Sequence, residues 1–304
     1  MSSNLPQYKL ISFISFLLPK KIKFFLQPIW YFFLIIFSYF KNGGRVFYNF
    51  KLSTFICSKK NINGKKRIYT SIRSWREFKA WAHFGEDNKY PLYFYLENLK
   101  KNDCIWSVGA ANGIEGLWAH QVNGCKVVFI EPFAPSIESI QKSIFFLNKK
   151  KNSNNWYQIV QAAVNDNPDF IKFGTFGIPK AGEKFNSINE KNNLNVLCQD
   201  NRNKKKVSVQ QWIKQVSLDE LFINNKIPKP TMLIIDVDGY ETKVIEGAKK
   251  LLGFKALKNL IIEINYNNGP KILPRMKKLG FKKIDKYVHH INKKNSAYDI
   301  FYKR

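Results

Sequence analysis

The sequence holds no paired cysteines. Cys57, Cys104, Cys125 and Cys198 lie far apart and form no C-x-x-C. A zinc ribbon, a thioredoxin-type site and a disulfide scaffold are excluded, and a reducing compartment fits. His83, His120, His289 and His290 give no H-E-x-x-H and no pair three to five residues apart, so no histidine zinc site is expected. No short period repeats, which excludes solenoids and propellers. Acid is missing from the first quarter of the chain: Glu77 is the first Asp or Glu, and fourteen Lys/Arg precede it from Lys9 to Arg76. A long hydrophobic run is missing there too. Ile29 to Phe40 is an uncharged stretch of only twelve residues, apolar except for Ser38, and a spanning helix needs about 20.

What is present is enough apolar residue for a full core: 45% of 304 residues, with 24% charged. One to two domains are expected at that length. The formal charge of +28 draws the chain to polyanions, whether nucleic acid, anionic lipid or phosphorylated substrate. Leu10–Leu18 has the length of a signal core, but Lys20-Lys21 follows and no A-x-A site does, so export is not expected. Three readings of the first 98 residues stay open, a true transmembrane anchor being the least favoured. One is a basic, aromatic segment, within residues 1–76, lying on an anionic membrane surface. Another is a set of helices packing on the rest of the chain.

From about residue 99 short β-rich runs alternate with helical periodicity, which predicts an α/β sheet with crossover helices. The strands are expected at Cys104–Val108, Val127–Ile130, Tyr157–Val164, Met232–Val237 and Leu260–Ile264, followed by a final pair near Phe281–Tyr287 and Tyr298–Tyr302. Residues 174–206, rich in Gly, Asn and Lys, read as a long loop or lid. Trp156 and Trp212 read as core.

Between the first strand and its helix stand Gly109, Ala110, Ala111, Asn112 and Gly113. Small residues there let a ligand approach the backbone and the helix N–H groups. Glu131 closes the second strand, 22 residues after Gly109, where an acid can accept both ribose hydroxyls of an adenosine cofactor. Dinucleotide sites want G-x-G-x-x-G. Here Ala111 takes the middle position, which tolerates a nucleoside without pyrophosphate and favours S-adenosylmethionine over NAD. A second cluster, Asp236-Val237-Asp238-Gly239, ends another parallel strand, where ligands of such sheets bind. Two close carboxylates are costly there unless they meet a cation, a metal or a proton. A sulfonium is such a cation, and no ligand set supports a divalent metal.

These blocks resemble the FkbM-type methyltransferases, a branch of the S-adenosylmethionine-dependent enzymes. Trp106 to Gly113 is similar to that family's F-D-V-G-A-N-x-G, with Ser107 in place of Asp and Asn112 one position later. Phe129-Ile130-Glu131-Pro132 is similar to F-E-P. Ser217 to Leu221, Ile235 to Glu241 and Ile262 to Asn265 are similar to T-L-D-E-L, I-D-V-E-G-x-E and E-I, with Asp238 for Glu. The resemblance covers about Asp103 to Phe301. It implies a Rossmann-like seven-stranded α/β sheet, mostly parallel with the last strand antiparallel and helices on both faces, over residues 99–304. It implies that Gly109 to Gly113, Glu131, Pro132, Ala163, Asp166 and Asp236 bind the cofactor. Asp236 and Asp238 would face methyl group and acceptor, Glu263 and Asn265 would meet the acceptor, and Asp219 would be structural.

The expected reaction is O-methylation of a sugar, glycan or lipid-linked saccharide by a cytoplasmic enzyme, peripheral on the inner face of a membrane. An RNA methyltransferase is the alternative that the charge suggests. Asn167-Pro168-Asp169-Phe170 is not an N-P-P-[YF] motif, however, and no RNA-binding module is visible. A non-catalytic membrane scaffold of degenerate fold is the other alternative.

Overall fold

A computed structural model describes residues 36, 39–40, 43–60, 64, 66–84, 89–151, 156–175, 186–187, 209–237, 239–264, 268–284 and 298–304. Two units divide the chain, Met1–Arg45 and Val46–Arg304. In the first, the N–H groups of Gly43 and Gly44 bond to the carbonyls of Phe40 and Tyr39 and close a helical end.

The second unit is built on a seven-stranded sheet. Its strands are β4 (Cys104–Val108), β5 (Lys126–Ile130), β6 (Tyr157–Val160), β11 (Met232–Ile235), β12 (Asn259–Ile264), β13 (Lys282–Lys283) and β14 (Tyr298–Lys303), in the order β13-β14-β12-β11-β4-β5-β6. Pairing is parallel from β12 to β6 and antiparallel at β12–β14 and β13–β14. The parallel strands read as continuous apolar runs because both faces are covered. One face carries Trp106, Val108, Ile130, Leu233, Ile235 and Ile262. It packs on helices α5 (Leu218–Ile223), α6 (Glu241–Glu246), α7 (Lys249–Gly253) and α8 (Gly269–Lys278). The other face meets α3 (Ile114–Asn123) and α4 (Ala134–Lys151). A Cβ on Gly116 of α3 would lie 2.6 Å from the Phe129 ring, so glycine sets how closely that helix lies.

The region before residue 99 is not purely helical. Strands β1 (Arg45–Asn49), β2 (Thr54–Lys60) and β3 (Arg67–Ile72) form a separate sheet in the order β1-β2-β3, followed by α1 (Trp75–His83) and α2 (Lys89–Asn98). From Val46 on, this material belongs to the same unit as the main sheet, whereas the sequence reading placed a division at 98/99.

Hydroxyls and amides join β3 to the helices. Gln121 of α3 donates to the Tyr69 carbonyl and accepts from the Tyr69 N–H, both at 2.8 Å. Ser143 of α4 accepts from the Ser71 N–H at 2.8 Å, and the Ser71 hydroxyl donates to the Ser139 carbonyl at 2.7 Å.

A third group, β7 (Ala163–Val164), β8 (Phe170–Thr175), β9 (Asn186–Ser187) and β10 (Val209–Val216), forms a four-stranded sheet in the order β7-β10-β8-β9. Residues 176–185 and 188–208, most of the expected lid, lie outside the described residues. Trp156 is core and stacks on His120 at 3.7 Å between ring centroids. Trp212 is not core. It pairs with Lys172 across β8–β10 and is 63% exposed beside exposed Phe170, because the buried face of β10 carries Ile213 and Gln215 instead.

Helix α1 opens with a capping box: Ser74 Oγ accepts from the Glu77 N–H at 3.2 Å, and Glu77 Oε2 accepts from the N–H groups of Arg73 and Ser74. Glu77 is 1% exposed, and burial raises its carboxyl pKa above the ordinary 4.5. A raised folded value means that the native state holds the proton more tightly than the unfolded chain. This group's contribution to stability therefore falls as pH climbs from about 4.5 through the folded value. Glu77→Gln retains a capping acceptor and carries no charge. Thermal melts across that window are expected to lose this part of the slope, with Tm at pH 7 no lower than that of the parent.

Candidate active site

Strand order reverses between β4 and β11: from β4 the chain proceeds to β5 and β6, and from β11 to β12 on the other side. Open α/β sheets bind ligands at the carboxyl ends of the strands at such a point. Three strand ends are tied together there by backbone. The N–H groups of Gly109 and Ala110 bond to the Ile130 carbonyl at 3.0 and 3.2 Å, and the Asp236 N–H bonds to the Val108 carbonyl at 3.1 Å.

Gly109 has φ +75°, and a Cβ on it would lie 1.8 Å from the Asp236 carbonyl oxygen. Only glycine allows this approach. Ala111 (φ +47°) and Gly113 (φ +73°) continue the left-handed turn. Gly113 then begins α3, with no side chain capping the helix. Ala110, Asn112 and Ser107 are buried, while Ala111 is exposed.

Glu131 follows the last residue of β5, and its carboxylate faces the glycine-rich turn. One oxygen accepts from the Ala111 N–H at 2.7 Å and the other from the Phe133 N–H at 3.0 Å, with the residue 5% exposed. Pro132 between them is partly exposed. These bonds fix the glycine-rich turn against the start of α4 through one carboxylate.

Asp236 is exposed just past β11. Asp238 and Asn265 lie outside the described residues, as do His289 and His290. Glu263, partly buried on β12, is in register with Asp299 of β14. Ala163 sits on β7, half-buried, paired with Gln215. Asp166 forms an ion pair with Lys243 of α6 at 2.8 Å, and that hydrogen bond and charge hold its pKa below the usual carboxylate range. Asp219 is structural: its two oxygens accept from the N–H groups of Lys250 and Leu251 at 3.0 and 2.9 Å, at the start of α7.

Sequence reasoning quoted Glu241 but gave it no task. Its side chain is 1% exposed. One oxygen accepts from the N–H groups of Gly239 and Val237 at 2.9 and 3.3 Å, and the other accepts from the Asn268 amide at 2.6 Å. Glu241 therefore shapes the turn after Asp236 and ties it to the start of α8. Asn268, far away in sequence, carried no signal of this.

A glycine turn after the first strand of such a sheet, an acid after the second and an acidic turn across the strand-order reversal are the marks of a Rossmann-like cofactor-binding fold. More particularly, the chain belongs to the FkbM methyltransferase family, whose domain model matches residues 107–283. Among solved structures it is similar to the methyltransferase FkbM of Methylobacillus flagellatus KT, with 12% identity, 76% of this chain and 56% of that one covered, and a TM-score of 0.45. It is also similar to precorrin-6y C5,15-methyltransferase of Geobacter metallireducens GS-15 (10%, 70% and 87% covered, TM-score 0.40). A third similar structure is an rRNA methylase of Streptococcus thermophilus (11%, 70% and 92% covered, TM-score 0.40). The chain thus spans little more than half the length of the Methylobacillus protein. No curated protein matches it significantly. Among the described residues, no group of three or more His, Cys, Asp or Glu is placed to hold a metal, and no helix is long and apolar enough to cross a membrane.

Proposed function

We propose that this chain is an S-adenosylmethionine-dependent O-methyltransferase acting on a hydroxyl of a sugar, glycan or lipid-linked saccharide. The observation that carries the reading is the meeting of three segments at the strand-order reversal: the left-handed turn from Gly109, the Glu131 carboxylate and the Asp236 strand end. The residues fit the donor. The turn 109–113 is held by its own hydrogen bonds, and the start of α3 beside it, which has no side-chain cap, is where the methionine portion would lie. Glu131 stands after the second strand of the sheet, where an acid takes the ribose hydroxyls of an adenosine cofactor. Ala163 and Asp166, with Pro132, line the adenine side, and Lys243 holds Asp166 in place. Bound there, S-adenosylmethionine supplies an electrophilic methyl group on a cationic sulfur.

The chain's own work is alignment and proton removal. Holding the acceptor in line is worth about 7–11 kcal/mol. Asp236, exposed at the strand end, is the base for the acceptor hydroxyl, with Asp238 beside it in sequence. Glu263, on the neighbouring strand β12, contacts the acceptor, with Asn265 two residues on in sequence. A cytoplasmic enzyme peripheral on a membrane's inner face suits a lipid-linked acceptor.

Calorimetry with S-adenosylmethionine and its demethylated product tests the donor, and labelled methyl transfer to saccharide and RNA pools tests the acceptor. Asp236→Asn is expected to cut kcat by roughly 10²–10⁴ while changing donor Kd far less than Glu131→Ala. Absence of donor binding would overturn the reading. Label arriving on RNA would replace the acceptor class and leave the donor site standing.

A further inference from the structure

Away from the candidate site, the β1–β2 connection carries an aromatic tip. Phe50 is 86% exposed in a single helical turn, Phe50–Leu52. The turn is fixed by its own polar groups: Asn49 Oδ1 accepts from the Leu52 N–H at 3.1 Å, and Ser53, at φ +47°, returns its N–H to the Phe50 carbonyl. The exposure of Phe50 is therefore built in. Tyr48 stands edge-on to Phe50 and to Phe55, at 5.0 and 5.1 Å between ring centroids, and all three rings are exposed. Val46 and Phe47 are exposed as well, so β1 shows solvent a run of apolar residues rather than one face.

The rim is basic. Lys51 and Lys149 both lie over the exposed Phe145 ring of α4, at 5.7 and 5.6 Å. The single acid of α4, Glu138, is already paired with Arg73 and Lys142. No carboxylate precedes Glu77 in the chain.

We infer that this tip is a docking surface for an anionic lipid bilayer, with Phe50, Tyr48 and Phe55 entering the headgroup–acyl boundary and Lys51 and Lys149 meeting lipid headgroups. Charge decides the occupant. A second copy, related by a two-fold axis, would set the same basic patch against its own copy. The chain's own first 45 residues are also basic, with six Lys/Arg and no acid. An anionic bilayer supplies both the apolar layer and the opposite charge. The surface goes beyond the methyl-transfer reading and does not depend on it, because none of these residues belongs to the donor site.

The test is co-sedimentation of the full chain with vesicles of phosphatidylcholine alone or with about one third phosphatidylglycerol. The parent is expected to bind the anionic vesicles and to be released by salt as the charges are screened. The double variant Phe50→Ser, Phe55→Ser is expected to lose about tenfold or more in partitioning. Lys51→Glu with Lys149→Glu should lose a similar factor on anionic vesicles only. All four side chains are solvent-exposed, so melts and donor binding of both variants should match the parent. A parent that ignores anionic vesicles overturns the inference, as does a double variant that binds like the parent. Variants that alter oligomeric state in ultracentrifugation while leaving vesicle binding intact assign the tip to a second copy and overturn it equally.

Discussion

Glu131→Ala should weaken donor binding by roughly 10²–10⁴, since each hydrogen bond to a charged group contributes about 1.5–3 kcal/mol and two ribose hydroxyls would lose their acceptor. Calorimetry reads this directly. The same substitution leaves the Ala111 and Phe133 N–H groups without the carboxylate they now donate to, and a buried donor left unmade costs about 1–3 kcal/mol. Stability of the donor-free protein should therefore fall too. The two effects separate because Kd is read on the population still folded at low temperature, whereas the melt reads the turn. Glu131→Gln should be intermediate. Its amide offers one oxygen to a backbone N–H and turns an NH₂ toward the other donor. Parent-like donor affinity in the alanine variant would falsify the assignment of the ribose to this carboxylate.

The second large effect is expected at Gly109. Alanine there must adopt a left-handed conformation, costing about 1–2 kcal/mol, and its Cβ would sit 1.8 Å from the Asp236 carbonyl oxygen. That oxygen belongs to backbone. It has little room to retreat, because the Asp236 N–H is bonded to Val108 and the strands are paired up to Ile235–Val108. Relief requires parting β4 from β11 at the site itself. A total cost above about 4 kcal/mol places the variant among the severe ones, and Tm is expected to drop by about 10 °C with donor binding lost. Gly253→Ala is the control: nothing lies within 4 Å of its added methyl, and both readouts should stay near the parent's.

The parallel strands were legible because burial on both faces leaves apolar runs with little else they can become. The site was legible where its chemistry is local, in the turn from Gly109 and the acid 22 residues on. Contacts distant in sequence were not. The Asp166–Lys243 pair spans 77 residues and the Glu241–Asn268 bond spans 27, and neither follows from spacing. The strands β8 and β10 escaped notice because their buried positions include Gln215 and their exposed ones include Trp212 and Phe170, which inverts the usual alternation. Strand β1 escaped for a related reason, since it exposes four residues in succession.

The amide of Gln121 and the hydroxyl of Ser143 stand in for the missing neighbour strand along the outer edge of β3. Each side chain imitates a peptide group, so this edge is closed by helices and offers no template for pairing with another molecule. A recombinant fragment begun at the family boundary, residue 107, would strip away β3 and leave Gln121 and Ser143 only their bonds within their own helices. Expression work on this protein belongs with fragments that start no later than β1.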